Sequence, residues 1–139
     1  MLIILYFYQN PSPMKTYHKY YKIKATPEEV YNALVKPFAI ALWTGEPAKM
    51  EETPGTEFSL FGGEISGVNL EFVPNEKIVQ EWDFGEQKEK SIVTIVLRQE
   101  KLFTNIELTH TNIPNEAWDD MVNGWDNYYF GALKEFFHH

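Results

Sequence analysis

Along the chain the spacing of apolar residues changes twice, and each change marks a different kind of element. In TYHKYYKIKA, Thr16 to Ala25, Tyr21, Ile23 and Ala25 fall on one side and Lys22 and Lys24 on the other, which predicts a half-buried strand. TPEE follows. Its Thr26 is placed to accept from the backbone of Glu29 while the Glu29 side chain reaches back, and Pro27 takes a first helical position that needs no N–H donor. The helix so started turns Val30, Tyr31, Leu34 and Val35 inward and stops at Pro37, which opens a second short helix, PFAIALWT, closed by Gly45 and Pro47.

From Lys49 to Thr111 the period drops to two. Phe58 and Leu60 alternate with Glu57, Ser59 and Phe61 before a Gly62-Gly63 turn, and Val68, Leu70 and Phe72 alternate with Asn69 and Glu71 before Pro74-Asn75. Ile78, Gln80, Trp82 and Phe84 form one face of another strand, opposite Val79, Glu81 and Asp83. SIVTIVLRQE and LFTNIELTHT complete a meander of antiparallel strands, because turns this short join only antiparallel neighbours.

After Asn112-Ile113-Pro114 the period lengthens again. Asn115 is the expected cap of a long final helix, with Glu116, Asp119 and Asp120 near its positive end. Trp118, Val122, Trp125, Tyr129, Ala132 and Phe136 recur at steps of four and three; Met121, Tyr128 and Leu133 widen the stripe. Asp119, Asn123, Asp126, Asn127 and Lys134 take the other side, so GWDNYYFGALKEFF is an amphipathic helix and not an anchor. Gly124 and Gly131 on one flank have two readings, close backbone approach or neutral surface positions. An antiparallel sheet curled around one long helix, with two short helices after the first strand, is an α+β helix-grip architecture.

Composition narrows the function classes. The 139 residues suit one domain, with hydrophobic residues at 44% and a high aromatic share of 16%. A net charge of −8 without a basic cluster argues against nucleic acid, whose phosphates demand Lys and Arg, and against anionic membrane surfaces. The absence of cysteine removes disulfides, thiol nucleophiles and thiolate metal sites, and fits a cytoplasmic location. MLIILYFY lacks a basic leader and is far shorter than the roughly 20 residues of a membrane span. Residues 1–13 read as an upstream extension or an extra strand, with Met14 as the true start; the domain proper is expected over 16–139, leaving 1–15 as extension.

Taken together, TPEEVYNAL, GGEISGVNLEFVPNEKIVQEWDF, LTHTNIP and GWDNYYFGALKEFF resemble the activator of heat-shock-protein-90 ATPase homologue family. They are most similar to its C-terminal-type domain, within the START-like, birch-pollen-allergen-like superfamily, and the resemblance runs from about Tyr17 to Phe137. It implies a helix-grip fold with a cavity between sheet and long helix. In eukaryotic members this domain is the second of two and contacts the chaperone's N-terminal domain; the first, which binds the chaperone's middle segment, has no counterpart in these 139 residues. No catalytic residues come with the resemblance, and the wider superfamily more often binds hydrophobic small molecules.

The chain's own residues supply a candidate cavity lining: Trp43, Phe58, Leu60, Trp82, Phe84, Leu108, His110, Trp118, Met121, Trp125, Tyr128 and Tyr129. These aromatics either wall a pocket for a flat or aliphatic ligand or touch one another in a filled core. His110 shares the face of Leu108 and is either an acid, base or ligand-orienting donor, or a residue bonded to the sheet's backbone. The acidic pairs Glu28-Glu29 and Asp119-Asp120 are explained by helix starts and Glu51-Glu52 by a solvated turn; HExxH, phosphate-loop and nucleophile-elbow motifs are absent. His138 and His139 are set aside as a tail, and no metal or cofactor is expected. The leading expectation is a non-enzymatic domain holding a small hydrophobic or aromatic ligand. The alternatives are an interaction module for a chaperone or other protein, and last a cyclase- or hydratase-like enzyme.

Overall fold

The computed structural model describes residues 14–138. A six-stranded antiparallel sheet, in the order β1-β6-β5-β4-β3-β2, curves around a C-terminal helical rod. Its strands are β1 (Met14–Ile23), β2 (Glu57–Leu60), β3 (Ile65–Val73), β4 (Lys77–Trp82), β5 (Ser91–Glu100) and β6 (Phe103–Pro114). Two helices, α1 (Pro27–Val35) and α2 (Pro37–Thr44), follow β1, and the rod comprises α3 (Trp118–Asn123), a π-helical segment (Gly124–Tyr129) and α4 (Phe130–Phe136). Met14 and Lys15, assigned to the extension by the sequence reading, belong to β1 and pair with Pro114 and Ile113. The expected extension or extra strand over 1–13 lies outside the described residues. Among the described residues no helix is long and apolar enough to cross a membrane.

The local signals around α1 do what their chemistry requires. The Glu29 N–H donates to Thr26 Oγ1 at 3.1 Å and the Thr26 N–H to Glu29 Oε1 at 3.0 Å. The backbone and side-chain bonds with Thr26 hold the Glu29 carboxyl below its usual range. Gly45, at φ 80°, ends α2 in the left-handed conformation, and the Trp43 indole N–H donates to the Ala33 carbonyl at 2.8 Å, locking the two helices together.

One strand departs from the simple alternation. The register of β3 on β4 runs from Asn69 opposite Gln80 to Glu71 opposite Val79, so Leu70 is the extra residue of a β-bulge. Before the bulge Asn69 is fully buried, whereas Leu70 is 40% exposed and Val68 only half-buried. The expected shared face of Val68, Leu70 and Phe72 is therefore split, because one inserted residue reverses the phase of everything on one side of it. Close strand approach adds to the curl: a Cβ built on Gly67 would lie 1.8 Å from the Glu81 carbonyl oxygen.

The rod departs too. Asn115 opens a short 3-10 turn (Asn115–Ala117) without a side-chain cap, and α3 begins only at Trp118. The expected Asn115 cap is replaced by this tight turn, while Asp119 and Asp120 still complement the helix start. The single long helix is interrupted between Gly124 and Tyr129, where the Phe130 N–H reaches back five residues to the Trp125 carbonyl. The wider turn advances the buried face, so Phe130 and Leu133 enter the core while Ala132 and Phe136 are only half-buried. Gly131 permits it: a Cβ there would sit 2.3 Å from the Asp126 carbonyl oxygen, whereas one on Gly124 would meet nothing within 4 Å.

Candidate functional site

The space between sheet and rod is occupied by aromatic rings. Trp82 from β4 stacks on Trp125 at 4.7 Å and 24°, Trp125 stacks on Phe130 at 5.5 Å and 19°, and Phe130 stacks on Tyr21 of β1 at 4.5 Å. Tyr129 lies against Trp125 at 4.6 Å and against Trp43 at 5.1 Å. Trp82, Trp125 and Tyr129, three of the residues expected to wall the cavity, are buried together with Phe130, so rings fill its deep part.

Two chains of buried hydrogen bonds fix those rings. In the first, Trp125 Nε1–H donates to His110 Nδ1 at 3.0 Å, which makes Nδ1 an acceptor and places the proton of the neutral ring on Nε2. His110 Nε2 lies 2.8 Å from Ser91 Oγ, and the Ser91 hydroxyl donates to the Thr111 carbonyl at 2.9 Å. Burial pushes the His110 imidazole down to about 3. In the second, Trp82 Nε1–H donates to Gln80 Oε1 at 3.0 Å and Gln80 Nε2–H to Asn69 Oδ1 at 2.9 Å. Asn69 Nδ2 donates in turn to the Glu51 carbonyl and Thr56 Oγ1, each at 3.2 Å. No buried side-chain nitrogen or oxygen among the described residues lacks a partner.

A third cluster pins the π-turn to the sheet edge. Asp126 Oδ1 accepts from Lys19 Nζ at 2.7 Å, Tyr21 Oη at 2.7 Å and Tyr17 Oη at 3.1 Å, all from β1. Burial raises the Asp126 carboxyl, but the bonds from Lys19, Tyr21 and Tyr17 outweigh it and leave a net lowering. Burial first, then the bonds with Tyr17 and Asp126, push the Tyr21 phenol up. The sequence reading placed Asp126 on the outer face; its side chain instead joins rod and strand.

On one side of the rod a cleft of about 380 Å³ stays open where it passes the turn between β2 and β3. Phe61, Glu64 and Ile65 line one wall, Trp82 the floor, and Asp120, Met121, Asn123, Gly124, Trp125, Tyr128 and Tyr129 the helical wall. Tyr128 is 62% exposed at the lip. Of the expected lining residues, the cleft gathers Trp82, Met121, Trp125, Tyr128 and Tyr129. Trp43, Leu60 and Leu108 lie in the core, and Phe58 borders a separate polar groove beside β3 and β4. Phe84, two residues past the end of β4, packs on His110 at 5.8 Å. Trp118 lies away from the cleft against Tyr17 at 5.7 Å, because α3 begins late and turns that ring toward β1. The sequence reading missed Phe61, Glu64, Ile65, Asp120, Asn123 and Gly124. Gly62-Gly63 signalled a turn there, but turn chemistry alone does not say which element faces it.

A curved antiparallel sheet folded over a C-terminal helix, with two short helices after the first strand, defines the class: a START-like helix-grip domain. Within it, residues 24–138 match the family model described as Activator of Hsp90 ATPase homolog 1-like protein, and the chain belongs to that family. It is 31% identical over 119 residues to an activator of 90 kDa heat shock protein ATPase homolog of Dictyostelium discoideum, covering 84% of this chain and 31% of that protein. With the human homolog 1 it shares 29% over 114 residues, covering 81% and 34%. The chain thus spans about a third of the length of these curated relatives. An HSP90 activator from Plasmodium falciparum superposes with a TM-score of 0.80 at 27% identity, covering 89% of this chain and 96% of that one.

Proposed function

We propose that this domain is a non-enzymatic binding module that takes a small apolar or aromatic ligand in the cleft between the β2–β3 turn and the rod. The observation that carries the reading is the cleft: about 380 Å³, floored by Trp82 and walled by Trp125, Tyr129, Met121 and Ile65. That volume falls within the roughly 300–1,000 Å³ of small-molecule sites, and such sites are mainly apolar with few polar groups. The placement of His110 supports binding over acid–base chemistry, since both its ring nitrogens are engaged inside the core. Native mass spectrometry of the protein purified from its own host tests the reading. A retained small molecule, lost when Met121→Trp fills the cleft, is the expected result. No bound species, together with no change in Trp82 or Trp125 fluorescence across a panel of apolar compounds, would overturn it.

A second reading is supported by the relatives described as activators of the 90 kDa heat shock protein ATPase: contact with a chaperone of that type in the cytoplasm. The net charge of −8 would then govern the rate and selectivity of encounter more than the final affinity. A pull-down with the host's own chaperone, joined to its ATPase rate, tests this; no capture and an unchanged rate would remove it.

A further inference from the structure

We infer that the occupant of the cleft is a small organic cation, with its flat or apolar body against the rings and its positive end between Glu64 and Asp120. The inference rests on the reading of the cleft as a binding site and names the chemistry that site selects. The lining contains two carboxylates and no lysine, arginine or histidine. Glu64 comes from the turn before β3 and Asp120 from α3, so two separate elements each bring one carboxylate to the same cleft. Both are exposed, and neither forms an ion pair among the described residues.

That differs from the carboxylates that hold the fold. Glu107 binds His18 and Arg98, Asp126 binds Lys19, and Glu52 binds Lys36. The aromatic walls add to the preference, because the face of an indole or phenol ring carries negative charge density and attracts a cation. Tyr128, exposed at the lip, offers such a face to the cleft, whereas Trp82, Trp125 and Tyr129 are buried and packed among other rings and contribute apolar contact. A neutral ligand would gain the apolar contact alone, and an anion would meet two like charges at the mouth.

Probes of nearly one shape and three charges decide the question: benzylammonium, benzyl alcohol and benzoate, titrated into the full chain at low salt. Indole N–H resonances report the site, with Trp82 and Trp125 in the cleft wall and Trp43 and Trp118 outside it as internal controls. Saturable shifts should be confined to Trp82 and Trp125. The cation should bind roughly tenfold tighter than the alcohol, the scale of a partly desolvated cation–π contact with nearby charge, and benzoate weakest. Glu64→Gln with Asp120→Asn, both at exposed positions, should reduce the cation-to-alcohol ratio to about twofold or less. Equal binding of cation and alcohol, or a ratio that survives the double substitution, overturns the cationic ligand and leaves the apolar-ligand reading standing. No shift at Trp82 or Trp125 with any probe overturns both.

Discussion

At His110 burial and hydrogen bonding act in the same direction. The ring has no exposed surface, its Nδ1 already accepts from Trp125, and a proton added there would displace that bond. The native imidazole is therefore expected to stay neutral down to about pH 4, consistent with a group pushed down to about 3. Nitrogen chemical shifts of His110 across an acid titration check this; protonation near the ordinary histidine value of about 6.5 would contradict it. Replacing the ring by His110→Ala leaves the Trp125 N–H and the Ser91 hydroxyl without their partner and opens a void. The expected cost is about 2–4 kcal/mol in denaturant unfolding, the combined scale of a cavity and an orphaned donor.

At the scale of elements, the rod depends on one backbone crowding point. Gly131→Ala would set a methyl carbon 2.3 Å from the Asp126 carbonyl, and that obstacle is backbone, which yields less readily than a side-chain tip. The expected loss is about 1–3 kcal/mol, together with a changed near-ultraviolet circular dichroism signal, because Trp125 lies within the displaced turn. Gly124→Ala, in open space, is the matched control and should be neutral or slightly stabilising. Asp126→Ala tests the fastening from the other side. It removes the acceptor shared by Lys19, Tyr17 and Tyr21, and faster amide exchange confined to the π-turn and β1 is the expected signature. Global stability should fall less than in Gly131→Ala, because those partners are partly exposed and regain water.

For the whole molecule, the same groups set the response to acid. The unfolded His110 takes up a proton near pH 6.5 and the folded one only near 3, so the unfolded state binds more protons across that window. Stability must then fall as pH drops, by up to about 1.4 kcal/mol per unit from this group. Glu107, lowered to about 2 by its bonds with His18 and Arg98, acts in the same direction below about 4.5, where the unfolded carboxyl protonates first. Urea midpoints should decline from pH 6.5 downward in the natural chain, and His110→Gln should flatten the upper part of that decline. An unchanged slope in the variant would show that another group carries it.

The alternation in β4 and β5, the capping box at Thr26 and the apolar stripe of the last segment could be read directly, because each depends on neighbours within one turn or one strand. These determined the order of elements, the antiparallel meander and the helix-grip class, and they put Leu108 and His110 on one shared face, which the tertiary structure buries. Leu70 shows where local reading stops, since a bulge is recognised only against the partner strand that the extra residue fails to meet. Phe130 is the same case in the rod, where a five-residue step moves a ring from the flank into the core. The cleft was decided entirely by tertiary structure. Rings sufficient to wall a cavity were present in the sequence, but only the close approach of rod and sheet determined that most would stack on one another. Near the β2–β3 turn that approach left room, and there it brought two distant carboxylates to the same opening.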